Sequence, residues 1–132
     1  MAKLRHIAMV VEDIEKTATF YEKAFGMTRA RQSETAIAMT DGVVSLVVIH
    51  PDNVNMKGET VRGLHHIGFL IDDMAKVTEQ VESNGGVFQG GILGTGSGLE
   101  TERKYTDPNG VNFDITMPEY ASAFWKIPVD VT

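Results

Sequence analysis

A repeat within the chain limits its possible folds more than any other feature. The segment RHIAMVVED near the start aligns without a gap with HHIGFLIDD in the middle, so that His6 falls on His66 and Asp13 on Asp73. Further identities follow at Lys16 and Lys76, Glu22 and Glu82, and Gly26 and Gly86. Because each copy is too small to bury its own apolar face, the repeat predicts one domain built from two similar halves.

Hydrophobic periodicity predicts the same order of elements, β-α-β-β-β, in both halves. In the first half, an apolar strand over 4–11 leads to a helix that Asp13 caps and Gly26 ends, followed by strands over 27–32, 36–40 and 43–49. In the second half, a strand that begins at 63 leads to a helix from Asp73 to about Ser83, followed by strands over 87–92, 99–106 and 111–117. The predicted fold class is therefore α+β, with two βαβββ modules in tandem.

The remaining segments connect or follow these modules. We assign the modules to residues 3–50 and 63–117 and interpret the polar stretch 51–62 as the connection between them. The tail 118–132 is amphipathic, and we expect it to pack back on the body because its aromatic residues would otherwise be exposed. The glycine-rich segment 94–98 lacks the features of a phosphate-binding loop and is interpreted as a mobile loop.

Composition excludes several classes of protein. The 132 residues include no cysteine, which excludes disulfides and a thiolate zinc site. The formal net charge is −6 and the basic residues are scattered, so we expect no nucleic-acid partner. The first apolar run stops at Glu12 and Asp13, too short for a signal sequence or a membrane span. We therefore expect a soluble, cytoplasmic protein.

Three polar side chains lie in strands that are otherwise apolar: His6, His66 and Asp114. A single histidine in a strand is more often a hydrogen-bonded core residue than a metal ligand. Here two histidines hold equivalent positions in a repeat, so pairing the halves about a pseudo-twofold axis can bring them together. Two imidazoles and one carboxylate suit a divalent metal with open coordination positions. The pattern therefore favours a metal site.

Strand alternation gives His65 the opposite parity from His66, so we expect His65 at the strand edge, outside the cavity. Alternation also divides the side chains of the preceding strand, 99–106, between its two faces. Glu102 and Lys104 share one face of that strand, and Tyr105 lies on the other. One face should border the cavity, so Glu102, Lys104 and Tyr105 are candidates to assist the site, with Lys104 or Tyr105 orienting an anionic substrate oxygen.

With these residues the chain resembles the vicinal oxygen chelate superfamily, which includes glyoxalase I, methylmalonyl-CoA epimerase, extradiol dioxygenases, fosfomycin-resistance thiol transferases and bleomycin-binding proteins. The resemblance covers roughly 3–117 and rests on HIAMVVEDIEKTATFYEKAFGM, HHIGFLIDDMAKVTEQVESNGG and the closing YTDPNGVNFDIT. It implies paired modules that form a cupped mixed sheet around one divalent metal, held at His6, His66 and Asp114.

Two departures from the superfamily pattern bear on the chemistry. The closing carboxylate is usually glutamate, and here it is Asp114. The further carboxylate that glyoxalase I carries on the last strand of its first module is matched by Leu46 or Val47, neither of which can bind metal. The resemblance therefore implies three protein ligands, with His50 as an unconventional candidate for a fourth.

The resemblance and the ligand set together favour a metal-dependent enzyme whose substrate chelates the metal through two neighbouring oxygens. The most concrete version is a dioxygenase, with Fe(II) or Mn(II) as the favoured metal; a glyoxalase-type lyase or isomerase, with Ni(II) or Zn(II) possible, is the alternative. A fosfomycin-type thiol transferase matches less well, because Ala8 replaces the expected threonine. A non-catalytic drug-binding protein would lack the three ligands. The superfamily commonly pairs modules from two chains, which implies a homodimer.

Overall fold

The computed structural model describes residues 2–94 and 100–129, in which the order β-α-β-β-β occurs twice. The first half contains β1 (Lys3–Val10), α1 (Ile14–Phe25), β2 (Thr28–Gln32), β3 (Ala36–Thr40) and β4 (Ser45–Ile49). The second half contains β5 (Gly63–Leu70), α2 (Met74–Ser83), β6 (Val87–Leu93), β7 (Glu100–Thr106) and β8 (Asn112–Thr116).

The strands form one eight-stranded sheet in the order β2-β3-β4-β1-β5-β8-β7-β6. The first strands of the two halves, β1 and β5, run antiparallel side by side at its centre. Each has the last strand of its own half on its other side, β4 beside β1 and β8 beside β5, and both of these pairs are parallel. The predicted α+β fold with a mixed sheet is confirmed. Equivalent positions of the repeat meet at the centre of the sheet.

Each long helix begins at an aspartate of the repeat. The Asp13 side chain accepts a hydrogen bond from the backbone N–H of Lys16 at 2.9 Å, and Asp73 accepts one from that of Lys76 at 3.0 Å. A carboxylate at this position satisfies an N–H that has no partner within the helix and interacts favourably with the helix dipole. Of the helices in the described ranges, none is long and apolar enough to cross a membrane.

The helices α1 and α2 cover one face of the sheet, and the tail covers part of the other. Helix α1 packs on a cluster around Met39, and α2 packs on one around Ile115. The tail forms α3 (Pro118–Tyr120) and a π-helical turn (Ala121–Trp125). On the opposite face, Leu70 packs with three buried residues of the tail: Ala121, Trp125 and Ile127. The predicted packing of the tail is confirmed over this part, and residues 130–132 lie outside the described ranges.

One strand starts later than the sequence pattern predicts. Strand β4 begins at Ser45, because the Asp41 side chain accepts hydrogen bonds from the backbone N–H groups of Val43 and Val44, both at 2.8 Å. This Asx turn uses two residues that the pattern assigned to the strand. The predicted loop at 94–98 and the predicted start of a strand at 99 fall largely on residues 95–99, outside the described ranges.

The connection between the halves has its own structure. A short 3₁₀ turn (Val54–Met56) buries the side chain of Met56, which is 1% exposed. Lys57 and Gly58 then adopt left-handed φ angles of 50° and 78°, which glycine tolerates at no steric cost. The backbone N–H of Glu59 donates to the Met56 carbonyl at 2.9 Å. The buried Met56 and this tight turn fix the position of Glu59.

Candidate metal centre

The centre of the sheet brings His6, His66 and Asp114 together. The Nε2 atoms of His6 and His66 lie 3.2 Å apart, and Nε2 of His66 lies 3.3 Å from Oδ2 of Asp114. One ligand atom from each residue lies within 4.8 Å of the other two. His6 and Asp114 are buried, and the His66 side chain is 14% exposed. Over the described ranges, this is the only group of three such residues that could hold a metal ion.

The spacing of these atoms fits a first-row divalent metal. With metal–ligand bonds of about 2.1 Å, neighbouring ligand atoms lie about 3.0 Å apart in octahedral and about 3.4 Å apart in tetrahedral geometry. Two of the three separations, 3.2 and 3.3 Å, fall between these values, and the third pair, His6 and Asp114, lies within 4.8 Å. Imidazole nitrogen and carboxylate oxygen are also the ligands that such metals prefer. The residues therefore fit the metal that the sequence pattern predicts.

The register of the sheet identifies the first-half counterpart of Asp114. Gly68 pairs with Asp114 across β5 and β8, and the equivalent Ala8 pairs with Val47 across β1 and β4. Val47, and not Leu46, is therefore the first-half counterpart of Asp114. An apolar side chain stands where a symmetric site would have a second carboxylate.

His6 is held from three sides. Its Nδ1 lies 3.1 Å from the hydroxyl oxygen of the buried Ser45, which leaves Nε2 facing His66. The Trp125 ring stacks on the His6 ring, with centroids 4.6 Å apart and planes 9° from parallel. Opposite His6 on β5 stands Gly68, where an added Cβ would lie 2.9 Å from Cβ of His6. The His6 ring thus has little freedom to turn.

Burial keeps both histidines neutral. Desolvation lowers the pKa of His6 from 6.5 to about 3, with the His66 and Lys104 charges adding to the effect. Desolvation, followed by the charges of Lys104 and His65, lowers the pKa of His66 to about 3 as well. A neutral imidazole is the form that binds metal, so at neutral pH no proton has to leave these rings.

Two buried carboxylates and a partly exposed lysine form a charge network beside the three residues. The Lys104 ammonium lies 3.2 Å from Oε1 of Glu102 and 3.4 Å from each Asp114 carboxylate oxygen. The Thr116 hydroxyl donates to the other Glu102 oxygen at 2.9 Å. Desolvation would lower the pKa of Lys104, but Asp114 and Glu102 outweigh it and raise that pKa. Desolvation raises the pKa of Glu102, and the Asp114 charge raises it further. Of the second-half candidates, Glu102 and Lys104 thus border the three residues.

Tyr105 lies elsewhere, and the expectation that it assists the site is not met. Its hydroxyl donates to Glu82 of α2 at 2.8 Å, and its ring belongs to the cluster beneath that helix. Alternation along β7 had separated Tyr105 from Glu102 and Lys104, so only one of the two faces could border Asp114. The face that carries Glu102 and Lys104 is the one that does.

The expectation for His65 is wrong. His65 lies on the central strand β5, and its Nδ1 is 2.7 Å from Nδ1 of His66. The reason is a β-bulge: Ala8 pairs with His66 but Met9 pairs with Leu64, so His65 is the extra residue in β5. A bulge interrupts the alternation of side chains and re-aims the inserted residue. The rings of His65 and His66 therefore lie next to each other.

His50 is not part of the group. It follows β4, and its Nδ1 accepts a hydrogen bond from the backbone N–H of Asp52 at 3.0 Å.

Three residues near the site were not indicated by the sequence: Ser45, Glu59 and Trp125. A serine within an apolar strand was a usable signal for Ser45. The connection and the tail carry no pattern that would have pointed to Glu59 or Trp125.

Comparison with solved structures supports the fold. Selenomethionyl methylmalonyl-CoA epimerase superposes with a TM-score of 0.62 at 21% identity, covering 86% of this chain and 93% of that one. Methylmalonyl-CoA epimerase in complex with methylmalonyl-CoA and NH4+ gives 0.64 at 17% identity, covering 89% and 94%. A hypothetical protein from Bacillus halodurans C-125 gives 0.65 at 16% identity, covering 88% and 94%. At these identities the likeness concerns the fold.

Comparison of sequences identifies the family. A search of curated proteins finds no significant match. A family model, described as Glyoxalase/Bleomycin resistance protein/Dioxygenase superfamily, matches residues 3–115, which is most of the chain and includes both histidines and Asp114. Together with the repeated βαβββ architecture, this match shows that the chain belongs to the Glyoxalase/Bleomycin resistance protein/Dioxygenase superfamily.

Proposed function

We propose that the protein is a metal-dependent enzyme of isomerase or lyase type, in which His6, His66 and Asp114 hold one divalent ion. The proposal rests on one observation: three ligand atoms of a suitable set converge within 4.8 Å in a largely buried site. A bound ion would act as a Lewis acid and stabilise negative charge on two neighbouring substrate oxygens. Mn(II), Fe(II), Ni(II) and Zn(II) all accept this ligand set.

The charges around the site suit an anionic substrate or intermediate. With both carboxylates ionised, Lys104 leaves the cluster of Asp114, Glu102 and Lys104 with one net negative charge. A divalent ion would reverse this to one net positive charge. An enolate or a similar anion would then neutralise the site, which is the condition that favours its formation.

Glu102 and Lys104 supply groups for proton transfer beside the proposed ion. Glu102 is buried, and its raised pKa makes it a stronger base than an exposed carboxylate. Lys104 is exposed on one side, and its raised pKa keeps it a cation that can donate hydrogen bonds to a substrate oxygen. We assign Glu102 as the proton acceptor and Lys104 as the substrate anchor. Substrate would approach from the side of Lys104 and His66, which are more exposed than His6, Glu102 and Asp114.

A dioxygenase is the second candidate, although the ligand set alone had put it first. Two histidines and one carboxylate are typical of non-haem Fe(II) oxygenases. An isomerase or lyase that moves a proton needs a base beside the metal, and the buried Glu102 offers one. The structural neighbours named as methylmalonyl-CoA epimerases also support the isomerase type.

Metal content tests the proposed ligands. Protein purified without added metal or chelator should carry about one divalent ion per chain by elemental analysis. His66→Ala should lose it, whereas the control His50→Ala should retain it, because His50 stands outside the group. A wild-type protein that holds no ion and takes up none on titration would refute the proposal.

Exchange of a substrate proton tests the reaction type. The loaded enzyme, incubated in D2O with methylmalonyl-CoA as the first probe, should exchange the proton next to the carbonyl group, followed by NMR. Glu102→Gln should slow this exchange by about 10²- to 10⁴-fold while retaining the ion, since general base catalysis contributes that much. Oxygen uptake with a catechol, without proton exchange, would instead support the dioxygenase.

A further inference from the structure

A continuous line of hydrogen bonds joins the surface to the proposed metal site. The Glu59 carboxylate lies 2.9 Å from Nε2 of His65, and Nδ1 of His65 lies 2.7 Å from Nδ1 of His66. The two histidine rings stand edge to face, with centroids 5.0 Å apart and planes 77° from parallel. The far side of the His66 ring presents Nε2 to His6 and Asp114.

The chemistry of the three groups determines where the protons lie. Two ring nitrogens at 2.7 Å share one proton, since two N–H groups or two lone pairs would repel each other. The Glu59 carboxylate can only accept, so it selects the neutral form of His65 whose proton is on Nε2. His65 then accepts at Nδ1, and His66 must donate from Nδ1. Nε2 of His66 is left with its lone pair free.

We infer that Glu59 and His65 are positioning residues that fix the tautomer and ring orientation of His66, so that its Nε2 is free to bind a metal. The inference rests on the proposed function, because it assigns these residues a role only if His66 is a ligand. A metal-binding histidine commonly donates its other N–H to a partner of this kind, which raises its basicity as a ligand. For His6 the corresponding partner is Ser45, whose hydroxyl can accept from Nδ1 when Nε2 binds the ion.

Two local structures bring this contact about. The β-bulge in β5 turns His65 toward His66 at the cost of an interrupted ladder. The buried Met56 and the left-handed residues Lys57 and Gly58 return the connection so that Glu59 reaches His65. A histidine and a carboxylate from separate segments are thus brought to one ligand. Structure of this kind next to a site usually orients a functional group.

Titration of the metal-free protein with Co²⁺ tests the inference, with calorimetry for affinity and visible absorption for the geometry of the bound ion. His65→Leu should bind Co²⁺ about 10- to 100-fold more weakly, the usual loss on removal of such a partner. His65→Asn should stay close to wild type, because its Oδ1 stands where Nδ1 stood and still accepts from His66. Equal losses in the Leu and Asn variants would overturn the inference, since they would indicate a packing role.

A matched pair of glutamate variants tests the outer end of the line. Glu59→Gln should weaken Co²⁺ binding about threefold or more, because a neutral amide selects the His65 tautomer less strongly. Glu12→Gln removes a more exposed charge, one that pairs with Arg62 of the same connection, and should leave the affinity unchanged. Equal affinities for wild type and Glu59→Gln would exclude a role for Glu59.

Nitrogen-15 NMR of the imidazole groups gives a readout that does not depend on affinity. In the Zn²⁺-loaded wild-type protein, His66 should carry its proton on Nδ1 and His65 on Nε2. The opposite pair of tautomers would overturn the inference even if the variants bind weakly. A wild-type protein that binds neither Co²⁺ nor Zn²⁺ would instead refute the proposed function, so the two failures are distinguishable.

Discussion

Replacement of Gly68 by alanine should disturb the candidate site without removing any of its ligands. Gly68 lies opposite His6 on the central strand and beside Asp114. A Cβ at this position would lie 2.9 Å from Cβ of His6, 3.0 Å from its Cδ2 and 3.1 Å from the nearest Trp125 ring carbon. Ordinary contacts of this kind begin at 3.4 Å, so the whole His6 side chain, Cβ included, and the Trp125 ring must both give way.

The expected cost follows from the depth of this overlap. Overpacking a core by one methyl group typically destabilises a protein by about 1–3 kcal/mol. With a urea m-value of about 2 kcal/mol/M for a domain of this size, the unfolding midpoint should fall by about 0.5–1.5 M. Displacement of the His6 ring should also weaken metal binding, because its Nε2 would move away from the ligand atoms of His66 and Asp114.

Urea unfolding of the metal-free protein and Co²⁺ titration measure the two effects. Trp125→Leu removes one of the two obstructing rings, so Gly68→Ala should cost less in that background, with a coupling energy of at least about 0.5 kcal/mol. A Gly68→Ala protein within about 0.5 kcal/mol of wild type, with unchanged Co²⁺ affinity, would refute the reasoning. It would mean that the stacked pair of His6 and Trp125 does not confine the site.

Two further predictions concern pH and assembly. Because burial lowers the pKa of His6 to about 3, below the 6.5 of an exposed histidine, the unfolded state binds more protons than the native state between these values. The metal-free wild type should therefore lose stability below pH 6.5 more steeply than His6→Asn, by up to about 1.4 kcal/mol per pH unit; equal slopes in urea unfolding would contradict this. The superfamily resemblance predicts a homodimer, so sedimentation velocity should give twice the chain mass of 14.5 kDa, and a monomer at micromolar concentration would be the contrary result.

The repeat made the element order predictable, because both halves carry the same local signals. Asp13 and Asp73 each cap a helix as the pattern indicated, and Gly26 ends the first helix with a left-handed φ of 72°. Polar residues in apolar strands indicated His6, His66 and Asp114, and the sheet brings these three side chains together. Such features are visible in sequence because each depends on residue type and spacing over a few positions.

Features that depend on distant segments could not be predicted in the same way. The bulge at His65 arises from the register between β5 and β1, which no local pattern records. Glu59 reaches the site because Met56 anchors the connection, and Trp125 reaches it because the tail folds across the sheet. Alternation therefore gave the wrong position for His65 and could not choose between the faces that carry Lys104 and Tyr105.

The differences between the two halves explain how a symmetric frame can produce a one-sided site. Across β4 and β3, Val47 pairs with Ala38, and the equivalent pair across β8 and β7 is Asp114 with Lys104. The repeat places a histidine on each side, but the carboxylate and the ammonium come from the second half alone. The proposed ion would therefore have charged side chains on the second-half side, whereas the equivalent positions of the first half, Val47 and Ala38, are apolar.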